Sequence, residues 1–583
     1  MKNKSGEWKT VRELHAETFF KDGDYQSIRE VLQRINRLAP DNPIFIELDD
    51  KRQFVTYTSR DIYEQAMNLG DGLLELGLKD AHIAIVADNS ARYVIADMAV
   101  SSGVGAIVPL DKDAPEDLLK SLMEKADVDA VFYSVNCLAK VQKIQAALPR
   151  VKVVATLYRK VDGVLSYDEI VESGKRIYES GKSVFRDMEI DLEAPAKMLF
   201  TSGTTGANKC VVLTSANLAA NFMNCSDGIK DRLGNTSMSV LPMHHATEIN
   251  THIMTRVCTG ALTYINDSIR NMMPNIKLFK PDIVTVVPMI ANAFYKNIWM
   301  NAEKAGKADK LRKGIKLSNF LRKFGIDITH KMFSDIHEAF GGNLEMIVCG
   351  GAMLNPVVVR GLNDIGIRIE NGYGITECGP LISLNADTLT DHLSVGKPCP
   401  GLEAKILNPD ENGIGELCVR GKCVSKGYYK DDEATAAAFG ADGFFNTGDS
   451  ARIDDKGRIF LVGRKKNTIV LSNGKNINPE EVENIIETNV PYADEIVVYQ
   501  ASFSTSTGEN KVIVAGLYIS DENKRADRAG ILEDIKKVNA LMPHYKAIDY
   551  VELPGCVYEK TSTRKVKRTT LPENCSGEGI KII

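Results

Sequence analysis

Residues 199–210 read LFTSGTTGANKC and run straight into the apolar stretch 211–213. Hydroxyls at Thr201, Ser202, Thr204 and Thr205, bare backbone at Gly203 and Gly206, and one cation at Lys209 make a loop able to wrap a polyphosphate. Peptide N–H groups, O–H donors and a point charge are then offered together. The two glycines let the main chain approach an anion with no Cβ in the way. A flexible Ser/Gly linker is the alternative. Its flanks argue against it, because linkers sit in polar sequence and this loop lies between apolar runs. Nor is it the Walker pattern: two residues separate Gly206 from Lys209, and no Ser or Thr follows the lysine.

Upstream of the loop the chain alternates. A helix is expected over 61–76, a strand over 82–86, a helix around 92–101, a strand over 106–110, a helix over 116–125 and a strand over 130–133. That alternation predicts an α/β fold, a mostly parallel sheet covered on both faces. Ligands on such sheets bind at the carboxyl ends of strands, where the 201–209 loop emerges. Residues 1–50 read as a helical entry, with Ile28, Val31, Leu32, Ile35 and Leu38 at helical spacing.

Downstream, a short strand over 238–241 ends in Pro242-Met243-His244-His245, and a buried strand over 283–287 is closed by Pro288. Spacing alone leaves His245 open between a structural and a catalytic role. The following 291–340 segment is largely helical, amphipathic and basic, with Leu317, Phe320 and Phe324 interleaved among lysines. A solvated helix face is the simpler reading, contact with an anionic membrane or acyl-CoA phosphates the sharper one. Strands over 344–348 and 368–371 run into Cys349-Gly350-Gly351-Ala352 and Gly372-Tyr373-Gly374-Ile375-Thr376-Glu377. Glycine at a strand end lets a planar ligand lie on bare backbone, with Tyr373 as a flat neighbour, and an adenine would use both. Glu377 is a hard oxygen donor suited to Mg²⁺, or a first-turn helix acid.

From Gly401 the texture changes to short strands and frequent turns, an antiparallel or barrel-like subdomain. Within it Asp449 can accept two hydrogen bonds from a ribose diol, and Arg464 supplies a cationic fork. A new αβ pattern begins with Asn478-Pro479, where Asn478 is expected to cap a helix. The expected domains are therefore 1–465, a large N-terminal domain, and 466–583, a small α+β domain. The latter closes with a basic run over 559–568 that reads as a loop holding one lysine in place.

The whole chain sets bounds. At 583 residues it is too long for one core, so two or more domains are expected. The 72 basic and 77 acidic residues argue against a nucleic-acid binder working through bulk charge. The first twenty residues carry no apolar signal segment. The apolar stretch 94–110 is broken by Asp97, Ser101, Ser102 and Gly103 and is too polar to span a bilayer, though a membrane-surface role stays open. Eleven cysteines with no CxxC pair favour neither a disulfide framework nor a zinc site, and fit a reducing cytoplasm.

The order of motifs is itself distinctive. TSGTTGANK, LPMHH, NGYGITE, GELCVRG, KGYY, NTGD, GRKK, NGKNINPEEVE and KTSTRKVKR follow one another along nearly the whole chain. Together they resemble the acyl-adenylate-forming superfamily of acyl-CoA synthetases, adenylation domains and firefly luciferase. The segment KNTIVLSNGKNINPEEVE and the long helical insert before CGGAML look most like bacterial long-chain fatty-acyl-CoA synthetases.

The resemblance implies two half-reactions: a carboxylic acid attacks the α-phosphorus of ATP to give acyl-AMP and pyrophosphate, and the thiol of coenzyme A then expels AMP. By matching position, residues 201–209 would hold the β- and γ-phosphates, Glu377 the Mg²⁺ and Thr376 the α-phosphate. Gly351, Ala352, Asn371, Gly372 and Tyr373 would line the adenine, while Asp449 and Arg464 would hold the ribose. Lys565 would bridge carboxylate and nucleotide, His245 would lie at the acyl and thiol side, and Lys466 would be the hinge of the small domain. The acyl pocket is expected from the segment after His245 and the strands ending near Val287, Gly351 and Leu384, with Trp299 either bordering it or packed in the core. A carrier protein's phosphopantetheine is the alternative acceptor. The chain departs from the family at Asn208, Cys210 and Arg564, where Pro, Gly and Gly are usual, and has Ser215 where a histidine is common.

Overall fold

The computed structural model describes residues 25–202, 208–228, 236–386, 388–389, 391–471, 475–505, 508–560 and 566–582. Contacts divide the chain into two units, one of residues 1–404, 419–446 and 457–459, the other of 405–418, 447–456 and 460–583. In the first, a seven-stranded sheet runs Leu165–Ser166, Val153–Thr156, Ala130–Tyr133, Ala81–Val86, Gly105–Pro109, Pro195–Ser202, Asn208–Thr214 from edge to edge. All its pairings are parallel except the last, a hairpin. A nine-stranded sheet of the same unit has Thr236–Ser239, Ile283–Val286, Met346–Cys349 and Arg368–Gly374 as parallel neighbours in its middle. Strands buried on both faces read as unbroken apolar runs, and IVTV and MIVC are buried at every position. The α/β class expected from alternation is the class observed.

Local signals place most elements. Thr58 and Asp61 form a reciprocal capping box at the start of helix Ser59–Glu75, and helix Glu116–Lys125 and strand Ala130–Tyr133 take their expected bounds. The helical entry stops earlier than expected, at Leu38, and residues 43–48 form strand Pro43–Leu48. Pro40 and Pro43 interrupt the helix, and Phe45 and Ile46 pair parallel with Thr263 and Tyr264. A second difference follows His245, where the backbone winds into a π-helix, Thr247–Met254, that periodicity does not announce. The polar breaks in 94–110 also find a structural reason. Asp97 lies fully buried on helix Ala91–Ala99 with its carboxylate 2.9 Å from Lys197 Nζ. Among the described residues no helix is long and apolar enough to cross a membrane.

A four-stranded sheet is ordered Leu402–Leu407, Gly415–Gly421, Phe445–Ile453, Ile459–Arg464, and in the second unit a further sheet joins Glu495–Thr505, Gly508–Tyr518, Tyr550–Glu552 and Ile580–Lys581. Helices Pro479–Asn489 and Arg528–Ala540 bury Val482, Ile486, Ile531 and Ile535 in a core shared with Val498 and Leu517. Asn478 occupies the N-cap position before Pro479, yet its side chain does not cap. Its Oδ1 accepts instead from Thr468 Oγ1 at 3.1 Å. Nine of the eleven cysteines are buried; Cys556 is exposed and Cys575 partly so.

Candidate active site

The first unit builds its site on the hairpin. Strand Pro195–Ser202 returns as Asn208–Thr214, with Thr201 opposite Lys209 and Ser202 opposite Asn208. Gly203, Thr204, Thr205, Gly206 and Lys565 lie outside the described residues. Strand alternation sends Lys209 and Cys210 to opposite faces. Cys210 is fully buried beside Met198 and Val108, and burial pushes its thiol up to about 12. The bulk that replaces the usual glycine is therefore absorbed by the core and leaves the lysine face unchanged.

The outer edge of the hairpin is paired with the KGYY segment: Val212 N donates to Gly427 O at 3.1 Å and Tyr429 N to Cys210 O at 2.7 Å. This pairing sets the Tyr428 ring 4.6 Å from Lys209 Nζ. The Tyr428 hydroxyl donates to Glu377 Oε1 at 2.9 Å. Burial first, and the Glu377 charge second, raise the Tyr428 pKa far above the usual phenol value, so the hydroxyl stays a donor. Glu377 sits on the single turn Thr376–Cys378, pinned from outside by Ser425 N, which donates to Glu377 O at 2.7 Å. The expected phosphate-side cation and metal-side carboxylate are thus brought to one tyrosine that sequence reasoning gave no role. The KGYY motif was the available signal.

A buried polar chain ties the base of the hairpin to the far side of the same turn. Lys197 Nζ lies 2.9 Å from Asp97 and donates to Asn250 Oδ1 at 2.8 Å, and Asn250 Nδ2 donates to Gly379 O at 3.0 Å. Desolvation lowers the Lys197 pKa and raises that of Asp97, each opposed by the partner's charge. Asn221 Nδ2 adds a bond to Cys378 O at 3.2 Å. The turn carrying Glu377 is held by side chains from two elements that precede it in sequence by well over a hundred residues.

Beside it opens a cavity lined by Thr247, Thr251, Thr285, Val348, Gly350, Gly351, Gly372, Tyr373, Gly374, Leu381 and Leu384. These are the segments from which an acyl pocket was expected. Trp299 does not line it and packs near Tyr295 with Arg312 over its ring. Gly374 must lack a side chain, since a Cβ there would stand 2.1 Å from Pro380 O, and one on Gly350 would press on Gly372 O at 3.1 Å. Tyr373 and Asn371 are buried, Gly351 and Ala352 exposed, and Thr376 half-buried. His245 N donates to Pro242 O at 3.1 Å, and its carbonyl accepts from Glu248 N at 3.0 Å and Ile249 N at 3.2 Å at the entry to the π-helix that supplies Thr247 and Thr251. The neighbouring His244 is driven down to about 4 by burial, its Nε2 without a hydrogen-bond partner. In the second unit Arg464 Nε meets Asp449 Oδ1 at 2.9 Å, and Asp449 N is fixed by Thr447 Oγ1 at 3.1 Å. Lys466 is exposed, its pKa lowered by partial desolvation and then by the Arg464 charge.

Comparison with known proteins places this arrangement. A family model described as AMP-binding enzyme matches residues 32–429, more than half of the chain. The chain belongs to the AMP-binding enzyme family. Curated relatives of this AMP-binding enzyme include a long-chain-fatty-acid CoA ligase of Mycobacterium bovis, 26% identical over 97% of this chain and 99% of that protein. The peroxisomal long chain acyl-CoA synthetase 6 of Arabidopsis thaliana is 29% identical over 75% of this chain and 66% of its own length, so the chain spans about two thirds of that relative. A chloroplastic long-chain-fatty-acid acyl-carrier-protein ligase of the same plant is 27% identical over 82% and 73%. Among solved structures, an anthranilate CoA ligase in complex with anthranoyl-AMP superposes with a TM-score of 0.75 at 17% identity, covering 94% and 96% of the two chains. At that identity the likeness shows the fold, which is that of adenylate-forming enzymes.

Proposed function

We propose that this AMP-binding enzyme activates a medium- or long-chain fatty acid. The carboxylate attacks the α-phosphorus of ATP, the bond to the β-phosphate oxygen breaks, and acyl-AMP and pyrophosphate form. The thiolate of coenzyme A then attacks the acyl carbon and AMP leaves. The observation that carries the reading is the Lys209–Tyr428–Glu377 cluster built onto the glycine-rich hairpin, because an acid and ATP repel each other unless cationic and hydrogen-bonding groups gather at the phosphates. The names of the relatives support an aliphatic acid, as does the side of the neighbouring cavity not given to the adenine, where Val348, Leu381 and Leu384 lie.

In this reading residues 201–209 grip the β- and γ-phosphates, Thr376 the α-phosphate, and Gly351, Ala352, Asn371, Gly372 and Tyr373 the adenine. Asp449 and Arg464 take the ribose, His245 stands at the acyl side, Lys565 orients the attacking carboxylate, and Lys466 is the hinge. Mg²⁺ fits this donor set. Among the described residues no three His, Cys, Asp or Glu side chains form a metal cage, and Glu377 offers one hard oxygen donor to an ion that keeps most of its bonds for phosphates and water. When bound, the ion neutralises charge on the leaving pyrophosphate.

Pyrophosphate release with ATP, Mg²⁺ and a series of fatty acids tests the proposal. Release that depends on the acid, and that falls by roughly 10²-fold or more in Lys565→Ala while nucleotide still binds, is the expected result. No release with any chain length overturns it. The carrier-protein ligase among the relatives favours a second acceptor. Adenylation without acyl-CoA formation, rescued by a phosphopantetheinylated carrier protein, would select that reading.

A further inference from the structure

Helix Ala308–Arg322 has an inner face that is fully committed. Leu311 and Ser318 are buried, Asn319 Nδ2 donates to Asp364 Oδ1 at 2.8 Å, and Arg322 Nη1 donates to Asn363 O at 2.7 Å. Those bonds fix the rotation of the helix, and so fix what faces outward. Lys313, Leu317, Phe320 and Phe324 follow one another at spacings of four, three and four, a single stripe on the opposite side. Leu317 is 50% exposed, Phe320 56%, Phe324 67% and Ile326, in the turn beyond, 50%. The two phenylalanine rings meet edge to face at 5.2 Å and so present one apolar knob.

Exposed Lys310, Lys316 and Lys323 flank this knob and Lys313 sits within the stripe; among the described residues none of the four is engaged in an ion pair. Protruding rings with lysines on both sides match a bilayer surface, where the rings enter the boundary between headgroups and acyl chains and the ammonium groups meet lipid phosphates. A second copy of the same face would bring like charges together, which disfavours self-association through it. The knob is convex, so it fits a deformable surface better than a partner helix, which needs a groove.

We propose that the face formed by Leu317, Phe320, Phe324 and Ile326 docks this protein on anionic membrane surfaces. This goes beyond the reaction proposed above and is measured without turnover. The test is co-sedimentation of the full chain with vesicles of phosphatidylcholine alone, or with roughly one third phosphatidylglycerol. The expected result is binding at least about tenfold tighter to the anionic vesicles, weakening with salt. Phe320→Ser with Phe324→Ser, and separately Lys313→Gln with Lys316→Gln and Lys323→Gln, should each reduce that binding about tenfold or more, with unchanged melting temperature. Phe320→Trp keeps the apolar knob and reports insertion directly, by a blue-shifted emission on anionic vesicles only. Equal binding by the native chain and both multiple variants overturns the proposal. So does a concentration-dependent dimer that the Phe320→Ser, Phe324→Ser variant abolishes, or capture of an acidic carrier protein by this face with no vesicle binding.

Discussion

Asp97–Lys197 and Asp449–Arg464 are both closed at 2.9 Å, but the first pair is wholly buried, while Arg464 is 41% exposed beside a nearly buried Asp449. Separation therefore says nothing about use. The buried pair has no water to fall back on, so its charges serve each other and Asn250, and the fold consumes them. The second pair keeps a solvent-facing guanidinium beside a carboxylate whose own backbone N–H is fixed by Thr447 Oγ1, so a ligand can engage it without either charge being stranded.

Breaking the buried pair should have the largest effect. Lys197→Met strands a carboxylate and is expected to cost about 3–5 kcal/mol of unfolding free energy in denaturant titrations, with ATP affinity of the folded protein within about twofold of native. Adding Asp97→Leu should return most of that loss. A single-variant cost under about 1 kcal/mol would erase the distinction. His244 sharpens it with a desolvated group that is not held in an ion pair, its two nearby charges, Asp113 and Lys112, acting in opposite directions. Its pKa is pushed from the usual histidine range down to about 4, so between those values the unfolded chain binds a proton that the folded chain refuses. Stability then falls as pH drops, by about 2 kcal/mol between pH 7 and 5 from this group, and His244→Gln should flatten that slope in thermal melts.

The exposed pair should behave oppositely. Asp449→Asn is expected to change stability by less than about 1 kcal/mol while raising the KM for ATP roughly tenfold, about 1.4 kcal/mol. If it destabilises as much as Lys197→Met, the contrast fails. Tyr428→Phe, which removes one hydroxyl between Lys209 and Glu377, should lower kcat by a few fold, about 1 kcal/mol, and shift the Mg²⁺ dependence of the rate with little change in melting temperature.

The sequence makes the α/β alternation legible because it is local: hydrophobic period and capping residues sit within a few positions of one another. The apolar runs on either side of the 201–209 loop are legible in the same way, though not that they pair as a hairpin. The strands expected over 344–348 and 368–371 are legible for the same reason, since glycines follow each of them closely in sequence, although the second continues to Gly374. What escapes is pairing at long range. Nothing near Tyr428 in sequence announces Glu377, and Asp97 reads only as a break in an apolar stretch until Lys197 stands beside it. The π-helix escapes as well, since a period of 3.6 cannot signal a backbone that winds more widely. Asn478 had the right position for a cap and lost its side chain to Thr468, a tertiary contact overriding a local preference.

The distribution of thiols has a practical consequence. With nine cysteines sealed in the interior and Cys556 open to solvent, a maleimide reagent added to the native protein should mark the second unit at Cys556, and more slowly at Cys575. The remaining nine become reactive only as their surroundings open, so the native chain carries its own label site for fluorescence and its own counter for unfolding.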